Sequence, residues 1–208
     1  MRKRLLDAAV QVIVNRGYLR FTTLEAVKIA GVTRGAAHHH FGSGDGFLLA
    51  ALEHLFAETQ RKSEQTVAHF TTPGDLLRAL AEDARRFYFG QAFFGGLDVL
   101  LSATKDARTR SAVRDLGHRY RLTNEEMWRD RLVGLGVAPA DAENAVGLLL
   151  AVVRGMAIRT LLRHSPKRID ELIALGLAMA QNYLAGRVER GRQRPPGSAH
   201  TGAARDEA

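Results

Sequence analysis

The residues best equipped for chemistry lie between Phe21 and Phe47, in the run FTTLEAVKIAGVTRGAAHHHFGSGDGF. Arg34 is long, cationic and able to form two parallel hydrogen bonds, the geometry that matches O6 and N7 of guanine. Gly35 and Ala36 follow it and are small enough to let the backbone approach a partner closely. His38, His39 and His40 invite a metal reading, but consecutive helical residues point about 100° apart, whereas helical metal pairs sit four apart on one face. No metal site is expected, and no cofactor. Catalysis is also poorly served. The chain has no Gly-rich phosphate loop, no Gly-x-Ser-x-Gly elbow and no His-Glu-x-x-His, and Asp141 and Glu143 diverge on a helix. The chemistry on offer is recognition, not bond making.

These residues need elements to position them. Thr23 can cap a short helix through Leu24, Val27 and Ala30; alternatively Thr22 is the anchor, which puts small Ala26 at a core position. Gly31 can supply a left-handed turn, and Thr33 can cap a second helix that starts at Arg34. The pattern is helix, tight turn, helix. In such a unit the second helix lies in the DNA major groove with its N-terminal residues at base edges, which suits Arg34-Gly35-Ala36.

The run Gly31-Val32-Thr33-Arg34-Gly35-Ala36, followed by His39-His40-Phe41 and a Ser43-Gly44-Asp45 helix start, resembles the DNA-binding domain of the TetR family of transcriptional regulators. The resemblance covers roughly the first fifth to quarter of the chain. It implies an all-α homodimer: a three-helix head over residues 1–46, a ligand-binding and dimerisation bundle over 47–186, and a double-stranded DNA operator and a small-molecule effector as partners. It places Thr22, Thr23, Thr33, Arg34, Gly35, Ala36, His38, His39 and His40 at the DNA. By the same analogy the protein is a repressor. Two positions depart from the family pattern: His38 stands where an aromatic, often Tyr, is usual, and Gly44 where a Lys is usual. The alternative that these departures raise is a helical ligand-binding or scaffold protein that has lost DNA binding.

Composition agrees with a soluble polyanion binder. The chain has 208 residues, 46% hydrophobic, with a formal net charge of +8, enough to bury a substantial core and to favour an anionic partner. It has no cysteine, consistent with a reducing cytoplasm. The basic start Met1-Arg2-Lys3-Arg4 is interrupted at Asp7 and Gln11 before any signal-peptide apolar region forms. The most apolar run, Val146 to Leu162, contains Arg154 and Arg159 and makes a poor membrane span.

Elsewhere the apolar spacing predicts helices throughout. The first runs from Arg2 to Arg16 and stops at Gly17. A long one starts at Ser43 or Asp45 and ends near Phe70, shared by head and body. Others run from Pro73 to about Gly90, from Leu97 to Thr104 after an aromatic stretch ending at Gly95-Gly96, and from Ala107 to about Leu135. The last two run from Pro139 to His164 and from Pro166 to Gly186. No segment alternates as a strand does. Residues 187–208, rich in Arg, Gly, Pro and Ala, read as a disordered tail.

Two constellations complete the expectation. Gly147, Ala151 and Gly155 form a small-residue stripe that permits close helix approach. The stripe is either buried within the chain or, with Val152, Leu172, Gly176, Met179 and Tyr183, forms a two-fold four-helix interface, which the family resemblance favours. Phe87, Phe94, His118, Tyr120, Trp128, Arg154 and Met156 are candidate linings of an effector pocket, mainly apolar; His118, Arg154 and Arg159 are the polar candidates, and an anionic effector would suit the arginines.

Overall fold

The computed structural model describes residues 1–17, 20–102, 107–162 and 165–193. Among them are nine α-helices and no strand: α1 Arg2–Arg16, α2 Thr23–Ala30, α3 Arg34–Phe41, α4 Gly44–Val67, α5 Pro73–Tyr88, α6 Gln91–Ser102, α7 Ala107–Gly134, α8 Pro139–Arg159 and α9 Pro166–Gln193. The termini are set by local chemistry. Thr22, Thr33, Ser43 and Thr72 each accept a backbone N–H three residues ahead, at 3.0–3.3 Å for the first three and 3.2 Å for Thr72, which satisfies donors that a helix start leaves open. Pro139 occupies the first turn of α8, where its missing N–H costs nothing. Gly31 ends α2 in the left-handed region, φ 61° and ψ 42°, a conformation that a Cβ disfavours.

Several boundaries differ from the sequence reading. The cap of α2 is Thr22, with Thr23 the first helical residue and Ala26 fully buried. Helix α4 stops at Val67 instead of near Phe70. The aromatic stretch does not end at Gly95-Gly96: α6 starts at Gln91 and runs through both glycines, because each packs closely on a neighbour, as shown below. Helix α9 continues seven residues beyond Gly186 to Gln193, into the stretch read as tail. Thr104, His164 and residues 194–208 lie outside the described residues.

Buried side chains fall into two clusters. The first gathers Leu5, Leu6, Ala9, Val12 and Ile13 of α1 with Ala26, Val27, Ala30 and Ala37. It also takes in Phe47, Leu48, Ala51 and Leu52, beyond the boundary drawn at residue 46, together with Val99, Val113 and Leu116 from α6 and α7. The second is built on α5, the later part of α7, α8 and α9, around Leu77, Leu80, Trp128, Leu132, Leu149 and Val153. Helix α4 belongs to both halves, since its first turns fill the head core while Ser63 and Val67 are buried against the body.

Candidate DNA interface and effector cavity

The recognition-helix candidate α3 is tied down on one side only. Ala37 is 2% exposed and inserts into the head core, and Phe41 stacks on Phe47 at 4.5 Å between ring centroids. Phe47 in turn meets Phe21 edge-on at 5.9 Å. This aromatic column fixes the exit of α3 to the start of α4. The opposite face is open: Thr33, Arg34, Gly35, His38, His39 and His40 are all exposed, while Ala36 is half-buried. The rings of His39 and His40 lie 5.6 Å apart, edge to face. Arg34 has no hydrogen bond or ion pair with any described residue, so its guanidinium is available to a partner. Arg2 lies over the Phe41 ring at 5.6 Å, which brings the basic N-terminus of α1 beside the end of α3.

A second cluster of donors flanks this face. A side-chain carbon placed on Gly44 would lie 3.6 Å from Thr23 Oγ1, so α2 and α4 begin side by side and their N-terminal N–H groups form an anion-attracting pair. The same contact distance leaves room for a larger residue at position 44. Gly46 has no such freedom, since a Cβ there would come within 2.4 Å of the Phe41 carbonyl oxygen. The short α3–α4 turn therefore requires glycine at 46, a constraint that the sequence signals only as one more Gly.

On the far side of α1, the Nε2 of His54 on α4 donates to Asp7 Oδ1 at 2.8 Å, and Lys3 donates to Asp7 Oδ2 at 3.2 Å. Burial by itself would raise the Asp7 carboxyl, but the bonds from His54 and Lys3 outweigh it and hold the carboxyl below its ordinary range. Arg16 bonds Glu25 at 2.5 Å, clamping α1 to α2.

The body encloses a cavity of about 430 Å³ between α4, α5, α6, α7 and α8. Its walls are mainly apolar and aromatic, including Phe56, Leu80, Phe87, Tyr88, Phe93, Tyr120 and Leu150, a lining and size typical of small-molecule sites. Of the candidates read from sequence, Phe87, His118, Tyr120 and Arg154 line it. The other three do not. Trp128 is fully buried within the body core, Phe94 packs against that core, and Met156 borders a separate recess with Arg159 and Arg168. Helical spacing shows which residues are apolar, but not which of two inward directions each takes.

Two polar features of this cavity are absent from the sequence reading. Asp83 sits on the wall and is buried, accepting from Ser63 Oγ at 2.5 Å and from Arg86 at 3.1 Å. The only sequence signal was an Asp on the apolar side of α5. The second is the bond that the lining residue Tyr120 makes outside the wall: Glu53 of α4 accepts from the Tyr120 hydroxyl at 3.4 Å and from Arg119 at 3.2 Å. Burial first, and then the Glu53 charge, push the Tyr120 hydroxyl above its ordinary range. A cavity residue is thus bonded directly to the helix that enters the head.

Helix α6 makes the other link. Its Phe93, Gly96, Leu97 and Leu100 face the cavity. A Cβ on Gly95 would lie 3.3 Å from Ile13 Cγ2 of α1, and one on Gly96 3.2 Å from the Phe56 ring of α4. Val99 of the same helix is fully buried in the head core.

Comparison with known proteins agrees with this architecture. The profile of "Bacterial regulatory proteins, tetR family" matches residues 5–51, the span from α1 to the part of α4 that fills the head core. The transcriptional regulator CymR of Pseudomonas putida is 30% identical over 182 residues, covering 88% of this chain and 90% of its own. The chain belongs to the TetR family. The regulator BetI of Rhizobium meliloti is 31% identical over 176 residues, 84% of each chain. Among solved structures, a transcriptional regulator from Rhodococcus sp. Rha1 superposes with a TM-score of 0.65 at 24% identity over 87% of this chain and 96% of its own, which shows the shared fold. The protein is a DNA-binding transcriptional regulator with an all-α TetR-family fold, and not an enzyme. Among the described residues no helix is long and apolar enough to cross a membrane.

The outer face of α8 and α9 is the remaining feature. Gly147, Ala151 and Gly155 are exposed, and a Cβ on either glycine would meet open space. Around them Leu148, Ile158, Leu175 and Met179 are 37–55% exposed. Four residues expected on that face, Val152, Leu172, Gly176 and Tyr183, are wholly or partly buried within the chain. Gly176 is buried, and a Cβ there would come within 3.0 Å of Val152, so these two residues hold α8 against α9 within the chain. Tyr183 donates to Asp141 at 2.7 Å and accepts from Asn144 at 3.0 Å, a bond set between the same two helices. Leu172 is half-buried, and Leu175, one turn before Met179, is the large apolar residue that α9 presents outward.

Proposed function

We propose that this regulator is a repressor that holds its operator as a homodimer in the cytoplasm and releases it when a small, mainly apolar molecule enters the body cavity. The observation that carries the reading is the double membership of the cavity walls: α4 and α6 line it, and both also pack in the head. A ligand that fits the cavity in only one arrangement of these helices has a differential affinity for two head positions, which is the requirement for coupling. Thr22, Thr23, Thr33, Arg34, Gly35, Ala36 and the three histidines form the proposed DNA face, with Arg34 at a base edge and the paired N-termini of α2 and α4 at phosphates. The apolar face of α8 and α9 supports the dimer, because its exposure in one chain needs a cover and a second copy supplies a matching one.

The test is a footprint of the full-length protein on its own upstream region, repeated with candidate apolar effectors and combined with calorimetry. Protection of a palindromic site, lost on adding an effector, is expected. Linkage requires operator DNA to weaken the effector by the factor with which the effector weakens DNA. Equal effector affinity with and without operator rules out the release mechanism.

A further inference from the structure

The geometry points to a hydrophobic monoanion, a carboxylate or comparable oxyanion with an apolar tail, as the molecule that the body cavity takes. This inference rests on the proposal that the cavity is the effector site, and adds the charge and placement of the head group.

Three cationic or protonatable groups line the cavity, whose remaining wall is mainly apolar with Thr59, Gln60, Asp83 and Asn124 as its other polar members: Arg114 and His118, one turn apart on α7, and Arg154 on α8. All three are exposed on the solvent side of the lining, and none has a hydrogen bond or ion pair with any described residue. Surface arginines in this chain commonly find a carboxylate: Arg61, Arg78, Arg86, Arg119, Arg168 and Arg187 all do. The unpaired set at the cavity is therefore a local excess of positive charge, and low-dielectric walls concentrate its field into the opening. A guanidinium meets a carboxylate through two parallel hydrogen bonds, so Arg154 or Arg114 can fix a head group in orientation as well as by charge.

The opposite reading, a cation held by aromatic rings and a carboxylate, would have to use Asp83. That carboxylate is buried and already accepts from Ser63 and from the Arg86 guanidinium. A cationic ligand would have to compete with Arg86 for it while its own charge passed Arg114, His118 and Arg154. An anion meets no such conflict: its tail lies among Phe87, Tyr120 and Leu150 and its head stays at the cationic opening, where it keeps part of its hydration.

The experiment uses three probes with one ten-carbon tail and different heads: decanoate, 1-decanol and decyltrimethylammonium, each titrated into the full-length protein by calorimetry. Decanoate is expected to bind about tenfold tighter than decanol, the usual worth of a charge-assisted hydrogen bond, and decyltrimethylammonium weakest. Arg154→Met keeps the apolar stem and removes the charge; it should lower decanoate affinity about tenfold and leave decanol unchanged, which also shows that the variant is folded. If Arg154→Met loses decanol as well, Arg114→Met is put through the same comparison. Equal binding of decanoate and decanol, or tightest binding of the ammonium, overturns the anion assignment while the cavity remains the effector site. Failure of all three to bind the wild-type protein overturns the effector-site reading itself.

Discussion

At the scale of residues, the proposed DNA face depends on exposed side chains, of which Arg34 has no hydrogen bond or ion pair with any described residue. Arg34 is exposed at the first position of α3 and pairs with no described residue, so Arg34→Ala should leave the fold intact and remove only the contact to DNA proposed for it. The expected loss is about 1–3 kcal/mol per half-site, with relaxed preference at one base position. Binding measured against a set of operator variants separates this from a phosphate contact, which would weaken all of them alike. Gly44 is the complementary case, a position where the lysine usual in the family, and with it a proposed phosphate contact, is missing. Because a Cβ there has ordinary clearance from Thr23, Gly44→Lys is accommodated and places a cation beside the paired helix N-termini. A two-fold dimer gaining two phosphate contacts should show a log K versus log salt slope steeper by about 1.8, with sequence preference unchanged. The slope is the measurement to trust, since replacing glycine also changes helix propensity by up to about 1 kcal/mol. An unchanged slope would mean that residue 44 points away from the backbone.

At the scale of elements, α4 and α6 do the connecting. Helix α4 crosses from one core to the other without a break and carries Glu53, which binds Arg119 and Tyr120 of α7. Helix α6 is short, but its two glycines let it lie against α1 and α4 at once. Gly95→Val would force its methyls into Ile13 and Val14 of α1. Overpacking of this kind costs about 1–3 kcal/mol, read as a lower denaturant midpoint with an unchanged m-value. The same wedge displaces the head from the body and should raise the operator dissociation constant even without effector. Wild-type stability in Gly95→Val would show that α6 and α1 do not pack in solution as they do here.

At the scale of the whole molecule, the proposed homodimer must hold two recognition helices about 34–36 Å apart to enter successive major grooves, which one chain cannot do. The face of α8 and α9 that carries Gly147, Ala151, Gly155, Leu175 and Met179 is the surface proposed to bring a second copy. Because Ala151 is exposed in the single chain, Ala151→Arg disturbs no intrachain packing. It should yield a folded monomer, with native helicity by circular dichroism and half the mass by sedimentation, and operator binding should fall with it, since a buried arginine without a partner is strongly unfavourable. A variant that remains dimeric would move the interface elsewhere.

The sequence by itself determined the all-helical fold and most helix starts, because caps, prolines and turn glycines act within three or four residues, though not the start of α6, read at Leu97 and found at Gln91. Thr33, Ser43, Pro73 and Gly31 were legible for that reason, and so was the helix-turn-helix with its exposed Arg34. The choice between Thr22 and Thr23 was not, because both can cap and only the burial of Ala26 decides. Tertiary packing also set the inward or outward sense of residues on helices that are apolar nearly all round. It turned Trp128 and Phe94 into the body core, sent Gly176 against Val152, and left Gly147 and Gly155 open. It alone brought Asp83 to Ser63 and Tyr120 to Glu53, pairs 20 and 67 residues apart. Periodicity shows that a helix has an apolar face, but the neighbour on each side of that face is a property of the assembled bundle.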